Sequence, residues 1–361
     1  MPKNVHFSCE NCGFDLDYAV GQHRLECGSC GFTKPIEVEV FNVFHAHPYE
    51  DTVLRLLKPE PDHVHHHIQC HNCGAGFDLP ENVHADECPY CDSNVVVPVG
   101  LQRQLVPDAI IPFNMTRLYA EDAFKRWIGS RWFAPSSLKR LAMKERPLTG
   151  TFVPYWAFDA EANSFYIGQR GDNYITYQMV PTRENGKMVM KRQQVVKIRW
   201  RPVSGRVFND FDNVLVMASE KLPADLIRKL GDWDLSETRN YDNDYLSGFR
   251  SELYQMGLPR GHTLSKQIMQ RTIRETVRRD IGGDHQRISQ VNSDFSKVGY
   301  KLMLMPLWLS AFRYSNKSYQ FAVNGQNGKV YGQRPWSIIK IVATVLFVAV
   351  LAGAGYYLAE M

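Results

Sequence analysis

The segments CENCGFDLDYAVGQHRLECGSC (residues 9–30) and CHNCGAGFDLPENVHADECPYC (residues 70–91) define the organisation of this 361-residue chain. Together they hold all 8 cysteines, arranged in each segment as two Cys-x2-Cys pairs with fourteen residues between the pairs. Corresponding cysteines lie 61 residues apart, and Asn11-Cys12-Gly13 recurs as Asn72-Cys73-Gly74. The chain therefore contains one module in two copies.

Each copy has the cysteine spacing of a structural zinc ribbon. Two residues between cysteines let a tight turn present both sulfurs to one ion, and two such turns complete a tetrahedral thiolate site for Zn²⁺. Iron, alone or in an iron-sulfur cluster, is the alternative metal. A closed four-cysteine site has no open coordination position, so two zinc ions are expected to stabilise the fold and to catalyse nothing. The predicted ligands are Cys9, Cys12, Cys27, Cys30, Cys70, Cys73, Cys88 and Cys91.

Disulfides are the other common use of paired cysteines, and they require an oxidising compartment. The first residues, Met-Pro-Lys-Asn-Val-His-Phe, lack the apolar core of a signal peptide. We therefore expect reduced cysteines that bind metal.

Charge is divided unevenly along the chain. Residues 1–100 contain 5 Lys and Arg against 15 Asp and Glu, a net charge of −10, whereas residues 101–361 contain 37 against 23, a net charge of +14. A Zn²⁺ ion bound by four thiolates is itself a net anion, so metal does not neutralise the first part. Acidic ribbons are poor phosphate binders, which places any binding of nucleic acid in the basic remainder.

The predicted layout has five parts and an α+β fold class with an antiparallel-β-rich body. Zinc ribbon 1 covers residues 1–40, a linker containing His and Pro covers 41–69, zinc ribbon 2 covers 70–100, the α+β body covers 101–335, and an apolar helix covers 338–358. In the linker, the His63–His67 cluster is either a further metal site or a solvated segment.

Several helices and strands are predicted within the body. A helix is expected to open at Thr116 and to bury Phe124, Trp127, Ile128 and Trp132. Residues 151–158, 164–169, 174–180, 193–200 and 206–207 are expected to form short strands of a meander. Turns between strands are predicted at Gly171-Asp172-Asn173 and Glu184-Asn185-Gly186.

A helix predicted over residues 263–281 has one apolar face and one basic face. The apolar positions are Ile268, Ile273, Val277 and Ile281. The basic residues, which could contact anionic lipid or nucleic acid, are Lys266, Arg271, Arg274, Arg278 and Arg279. The alternative is an ordinary amphipathic helix that packs on the sheet and exposes its charged face to water.

Residues 341–358 form an uncharged apolar segment of 18 residues, close to the length that crosses a bilayer. A buried core helix is the alternative, but it would be apolar on every side at the end of the chain. Arg334 and Lys340 precede the segment and no basic residue follows it. We therefore expect a single-pass, tail-anchored protein of the cytoplasmic (inner) membrane, with its N-terminal domains in the cytoplasm.

Together with the ribbons and the apolar segment, four phrases of the body resemble a known family. They are VPYWAFDA (153–160), YLSGF (245–249), IGGDHQRI (281–288) and VNGQNG (323–328). The chain resembles the bacterial transcription factor IIB-type zinc-ribbon proteins, which are often labelled primosomal helicase-like. The resemblance covers nearly the whole chain. It implies similarity to the zinc-ribbon membrane component of a stress system whose partners are SPFH-domain and phage-shock-protein-A-like proteins.

The sequence contains no set of residues that would support catalysis. No Gly-x4-Gly-Lys-Ser/Thr loop is present, so the helicase label has no ATP-driven motor behind it. Asp284 next to His285 lacks a third catalytic partner, and we interpret the pair as a structural turn. We therefore expect a non-enzymatic adaptor that docks partner proteins at the membrane, where the apolar helix contacts lipid. The alternative is a membrane-associated nucleic-acid-binding protein.

Overall fold

The computed structural model describes residues 7–37, 46–56, 67–69, 76–78, 83–88, 93–96, 105–137, 148–184, 187–220, 222–223, 229–314 and 317–360. Its helices are α1 (Tyr49–Leu56), α2 (Arg117–Gly129), α3 (Leu258–Ile281) and α4 (Ile338–Glu360). Its strands are β1 (Leu16–Tyr18), β2 (Arg24–Cys27), β3 (Thr33–Pro35), β4 (His47–Pro48), β5 (His67–Gln69), β6 (Gly76–Asp78), β7 (Val83–Glu87), β8 (Asn94–Val96), β9 (Ala109–Ile110), β10 (Thr149–Glu184), β11 (Lys187–Met217), β12 (Arg239–Asn240), β13 (Arg250–Glu252), β14 (His285–Tyr314), β15 (Lys317–Asn324) and β16 (Val330–Gly332). The predicted histidine cluster lies outside the described residues, apart from the backbone of His67.

Three very long strands form the centre of the body. β10, β11 and β14 contain 36, 31 and 30 residues, and they lie in the order β11-β10-β14 with antiparallel pairing. Along the other edge of β14, β4, β9 and β15 pair one after another, and β16 extends the sheet beyond β15. β9 runs parallel to β14, and β13 runs parallel to β10. The sheet is therefore mixed, although most of its pairs are antiparallel.

The predicted meander of short strands is wrong in this region. β10 continues without a break to Glu184, and β11 returns from Lys187, so the chain reverses only at the second predicted turn. Gly171-Asp172-Asn173 lies inside β10, where Gly171 pairs with Trp200. A Cβ at Gly171 would lie 2.8 Å from the side chain of Ile198 and 2.9 Å from that of Trp200. Glycine is needed there for close approach of neighbouring groups, not for a turn.

α3 packs against the middle of the sheet through residues spaced four apart. Met269, Ile273, Val277 and Ile281 are buried in one cluster with Trp156 and other strand residues. This spacing keeps one helical face on the sheet. The helix begins five residues before the predicted start, and Ile268 is 39% exposed, so its predicted place on the packed face is wrong.

α2 begins where the sequence predicted. The Thr116 side chain accepts a hydrogen bond from the backbone N–H of Tyr119, which caps the helix. Phe124 and Ile128 are buried, and the ring of Phe124 stacks on Phe321 with centroids 3.7 Å apart. Trp132 lies beyond the end of the helix and is 72% exposed, so its predicted burial is wrong.

Candidate metal centre and membrane helix

Four cysteines of the first module converge on one point. The Sγ atoms of Cys9, Cys12, Cys27 and Cys30 all lie within 4.8 Å of one another. Cys9 Sγ lies 3.6 Å from Cys30 Sγ, and Cys12 Sγ lies 3.5 Å from Cys27 Sγ. A tetrahedral ion with bonds of about 2.3 Å to sulfur holds its ligands roughly 3.8 Å apart, so the four thiols fit such an ion. This cluster can bind a metal ion.

Two matching turns position these sulfurs. The backbone N–H of Gly13 donates to the carbonyl of Cys9 at 2.8 Å, and that of Gly31 donates to the carbonyl of Cys27 at 3.0 Å. Both glycines have positive φ angles, 75° and 72°, a conformation that costs little only for glycine. Local sequence therefore builds each half of the site.

Two neighbouring thiols of the cluster differ in acidity. A hydrogen bond from the backbone N–H of Phe32 is the largest influence that lowers the pKa of Cys30 to about 6, and the side chain of Cys12 adds to it. Although a hydrogen bond with the Phe14 backbone lowers it, the pKa of Cys12 is raised to about 12 by the hydrogen bond with the Cys30 side chain and by burial. Metal binding requires deprotonated sulfur, so Cys30 is the thiol of this pair that a metal deprotonates more easily.

The described part of the second module repeats the backbone pairing of the first. β2 and β3 pair through Glu26 and Thr33, and β7 and β8 pair through the residues 61 positions later, Glu87 and Asn94. The backbone N–H of Cys88 donates to the carbonyl of Ser93 at 2.8 Å, as that of Cys27 does to the carbonyl of Phe32. The other three predicted ligands of this module lie outside the described residues: Cys70, Cys73 and Cys91.

Both modules contact one segment of the body. The Ser247 hydroxyl donates to the carbonyl of Leu16 at 2.5 Å, and the backbone N–H of Tyr18 donates to the carbonyl of Ser247 at 3.1 Å. The side-chain amide of Asn94, from the second module, donates to Asp17 Oδ1 at 2.8 Å and to Ser247 Oγ at 3.3 Å. The first cysteine module is thus packed on the body, and Ser247 belongs to the phrase 245–249.

The chain is similar to a protein of Bacillus subtilis (strain 168), YdjG. The two are 26% identical over 351 residues, which cover 94% of this chain and 92% of the relative. That relative is described as an uncharacterized protein, so the similarity assigns no activity. No family model and no solved structure matches the chain.

Asp284 and His285 connect the start of β14 to β10 through contacts with Asn173. Asp284 Oδ2 accepts a hydrogen bond from the backbone N–H of Asn173 at 2.7 Å, and His285 Nε2 lies 3.0 Å from Asn173 Oδ1. The preceding Gly282 and Gly283 have φ angles of 63° and 73° and form the tight connection from α3. The described contacts of the pair are those of a structural turn.

The basic residues of α3 differ in their local contacts. Arg278 is paired with Glu275, Arg279 donates to Thr276 Oγ1 at 3.3 Å, and the Lys266 Nζ atom lies 5.5 Å from the centre of the Phe295 ring. Arg271 and Arg274 are exposed on the outer face of the helix. Contact of this set with anionic lipid or nucleic acid stays a prediction.

α4 contains a segment, Ile338–Tyr356, that is long and apolar enough to cross a membrane, and none of it is buried inside the protein. Its first turn is fastened to the residues that follow α2. Lys340 Nζ donates to the carbonyls of Trp132 and Ala134 at 3.2 and 2.8 Å, and the backbone N–H of Ser337 donates to the carbonyl of Phe133 at 2.8 Å. No pattern in the sequence indicates this attachment, because its partners are about 200 residues apart.

Proposed function

We propose that this protein is a non-enzymatic, membrane-anchored adaptor that docks partner proteins, with its body on the cytoplasmic side of the inner membrane. Both cysteine modules bind Zn²⁺ in this proposal, one ion each, and these ions stabilise the fold. Support for zinc comes from the four converging thiols of the first module and from the repeated hairpin of the second.

The observation that carries the adaptor proposal is a projecting two-stranded arm, residues 172–184 of β10 with 187–199 of β11. Pairing between β14 and β10 ends at Gly171, opposite His285. Beyond that point, in the described part of the chain, β10 and β11 pair only with each other. Thirteen successive residues of each strand pair in this way, which at about 3.3 Å per residue gives an arm of roughly 40 Å.

One face of the arm is exposed and largely apolar, and it also carries Arg183 and Arg192. Residues directly opposite in an antiparallel pair share a face, and Ile175 lies opposite Val196 while Pro181 lies opposite Met190. Exposed fractions on this face range from 39% to 68%. Soluble surfaces rarely leave such a contiguous apolar patch uncovered unless it binds something. The exposed apolar residues are Ile175, Tyr177, Met179, Met188, Met190, Val196 and Ile198.

The net charge of the arm indicates what kind of partner surface would bind it. Residues 172–199 contain six Lys and Arg against two Asp and Glu, a net charge of +4. Lys197 and Arg199 lie on the face opposite the apolar one. A partner with an apolar patch and an acidic border would be complementary to both features. SPFH-domain and phage-shock-protein-A-like proteins, which the family resemblance implies, are the partners that we propose in a membrane stress response.

The position of the arm favours a protein partner over lipid. β10 starts at Thr149, near the end of the sheet to which α4 is fastened, and the arm begins after Gly171. That separation is about twenty residues, or roughly 70 Å along the strand. The arm is therefore placed to reach partners away from the attachment of the membrane helix.

In-membrane cross-linking of the full-length protein, followed by mass spectrometry, tests this proposal. Val196→Ser with Met190→Ser changes the apolar face, and Val195→Ser with Val189→Ser is the matched control on the other face of the same strand. Truncation of a side chain at the centre of an interface can cost more than about 1 kcal/mol of binding free energy, and this variant truncates two. We expect the first variant to capture at least tenfold less SPFH-type or phage-shock-type protein and the control to stay within twofold. Equal capture by both variants, or no reproducible partner of the unchanged protein, contradicts the proposal.

Nucleic-acid binding is the second candidate, and the exposed Arg271 and Arg274 with the basic face of the arm favour it. Such binding depends on phosphate contacts and weakens steeply with salt. A nuclease-treated sample in the same experiment separates the two candidates. Captured material that disappears with nuclease, in both variants alike, would assign the basic surface to nucleic acid.

A further inference from the structure

A cavity of about 700 Å³ lies beside the base of α4, between the end of α2 and the residues that lead into the membrane helix. Its walls carry four cationic side chains and several aromatic rings. The residues that matter here are Trp127, Arg131, Lys229, Lys329, Arg334 and Trp336. No part of the proposed adaptor function uses this cavity.

Three of the four cations have no carboxylate partner among the described residues. Lys329 is paired with Asp232, but Lys229, Arg131 and Arg334 form no ion pair there. Arg131 and Arg334 are the two arginines of this set. Instead, each guanidinium lies over an indole ring, with Arg131 Cζ 5.1 Å from the centre of Trp127 and Arg334 Cζ 4.4 Å from the centre of Trp336. Indole faces attract cations but do not neutralise them.

Both arginines are in an unfavourable state without an anion. The Nε atom of Arg131 is buried and has no hydrogen-bond acceptor, which is costly for a charged donor. Burial and the nearby charge of Arg131 lower the pKa of Arg334. Like charges that share a partly desolvated cavity repel each other, and a bound anion would relieve both the repulsion and the unmet donor.

The cavity lies next to the first turn of α4, where lipid headgroups would surround the helix in our proposal. Trp336 lines it two residues before α4 begins at Ile338, and its side chain is 58% exposed. Trp132, in the turn that holds Lys340, is 72% exposed. Exposed tryptophans beside the end of a membrane-spanning helix favour the headgroup layer. A phosphate group at that level would meet the two free guanidinium groups.

We propose that this cavity binds the phosphate of an anionic phospholipid headgroup, with Arg131 and Arg334 as its direct ligands. Guanidinium groups suit this role because they bind phosphate oxygens in pairs. Lys229, which donates to the Tyr331 hydroxyl at 3.1 Å, adds positive charge at the wall. Bound lipid would hold the body in a fixed orientation on the membrane surface.

Titration of the purified full-length protein with short-chain lipids tests the proposal through tryptophan fluorescence. The probes are dioctanoyl phosphatidylglycerol, dioctanoyl phosphatidylcholine and inorganic phosphate. Arg131→Gln with Arg334→Gln removes the two unpaired guanidinium charges from the cavity. Arg271→Gln with Arg274→Gln is the matched control, because it removes two exposed positive charges from α3.

We expect saturable binding of phosphatidylglycerol that the cavity variant weakens at least tenfold and the control by less than twofold. If both variants lose the same affinity for phosphatidylglycerol, the effect comes from the overall charge of the protein and the proposal is overturned. Equal affinity for phosphatidylcholine would overturn it as well. Saturation by inorganic phosphate at the same concentrations, with no gain from acyl chains, would assign the cavity to soluble phosphate and overturn the lipid assignment. If the glutamine variant does not fold, Arg131→Lys with Arg334→Lys takes its place, because it keeps both charges but loses the paired guanidinium geometry. We expect it to weaken the binding of phosphatidylglycerol by an intermediate amount. Unchanged binding in the lysine variant would overturn the assignment of both arginines as direct ligands.

Discussion

Cys27→Ser removes one sulfur from the first cysteine cluster, and we expect the damage to extend into the body. Cys27 is 1% exposed and belongs to one continuous apolar cluster that contains Leu16 and Tyr18 of the ribbon and Phe113 of the body. The ring centroid of Tyr18 lies 5.3 Å from that of Tyr245. A module of this size would be too small to keep its fold without the metal ion that we propose it binds.

The magnitude follows from the surface that the unfolded ribbon would uncover. Burial of Leu16 and of Tyr18 stabilises the protein by about 1.5–3 kcal/mol each, and the ring pair with Tyr245 adds about 0.5–1.5 kcal/mol. The body would therefore lose roughly 4–7 kcal/mol. For a domain of this length each kcal/mol corresponds to about 2–4 °C, so we expect the melting temperature to fall by about 8–28 °C.

Zinc released on denaturation, measured with a metallochromic dye, and thermal unfolding, followed by tryptophan fluorescence, give the two readouts on detergent-solubilised full-length protein. We expect the Cys27→Ser variant to release one equivalent less zinc and to melt at the lower temperature. Ser29→Ala, an exposed position in the same turn that offers no ligand, should change neither. A variant that loses its zinc while the body melts at the original temperature would refute the reasoning from a shared core.

Two further predictions concern α3. Gly261→Ala should destabilise the protein by up to about 2 kcal/mol, because the new Cβ would lie 2.7 Å from buried Trp156 and the overpacking exceeds the gain in helix propensity. Gly129→Ala in α2 is the matched control, because no atom lies within 4 Å of the new Cβ, and it should stabilise the protein by up to about 1 kcal/mol. Similar shifts of the melting temperature in the two variants would contradict this account. Burial lowers the pKa of His262 to about 4, below its unfolded value of about 6.5, so the native state resists protonation and stability should fall as pH drops from about 6.5 to 4. Because the ring beside Tyr49 is only partly buried, we expect a loss of about 1–2 kcal/mol that denaturant titrations should detect and that His262→Gln should abolish.

Features that depend on neighbouring residues were predictable from the sequence. Cys9 and Cys12 are joined by a turn that their own spacing requires, and Thr116 caps the helix that directly follows it. The apolar character of α4 is likewise a property of consecutive residues. In each case the physical cause acts within a few positions of the chain.

The arm was not predictable in the same way. Gly171 and its neighbours have the composition of a turn, but pairing with Trp200 and the approach of His285 hold them in a strand. Those partners lie 29 and 114 positions away. Packing between strands overrides the local turn propensity of these residues, and the sequence pattern does not show that packing.

The sequence by itself determined the duplicated cysteine modules, the four cysteines that converge in the first module, the α+β class and the apolar helix, because spacing and composition set these within short segments. Tertiary structure alone decided that Ser247 joins both modules, that β10 and β11 extend into an exposed arm, and that Arg131 meets Arg334 at the base of α4. The physical reason is that each of these features needs groups from distant segments to share one environment, and only the folded chain brings them together.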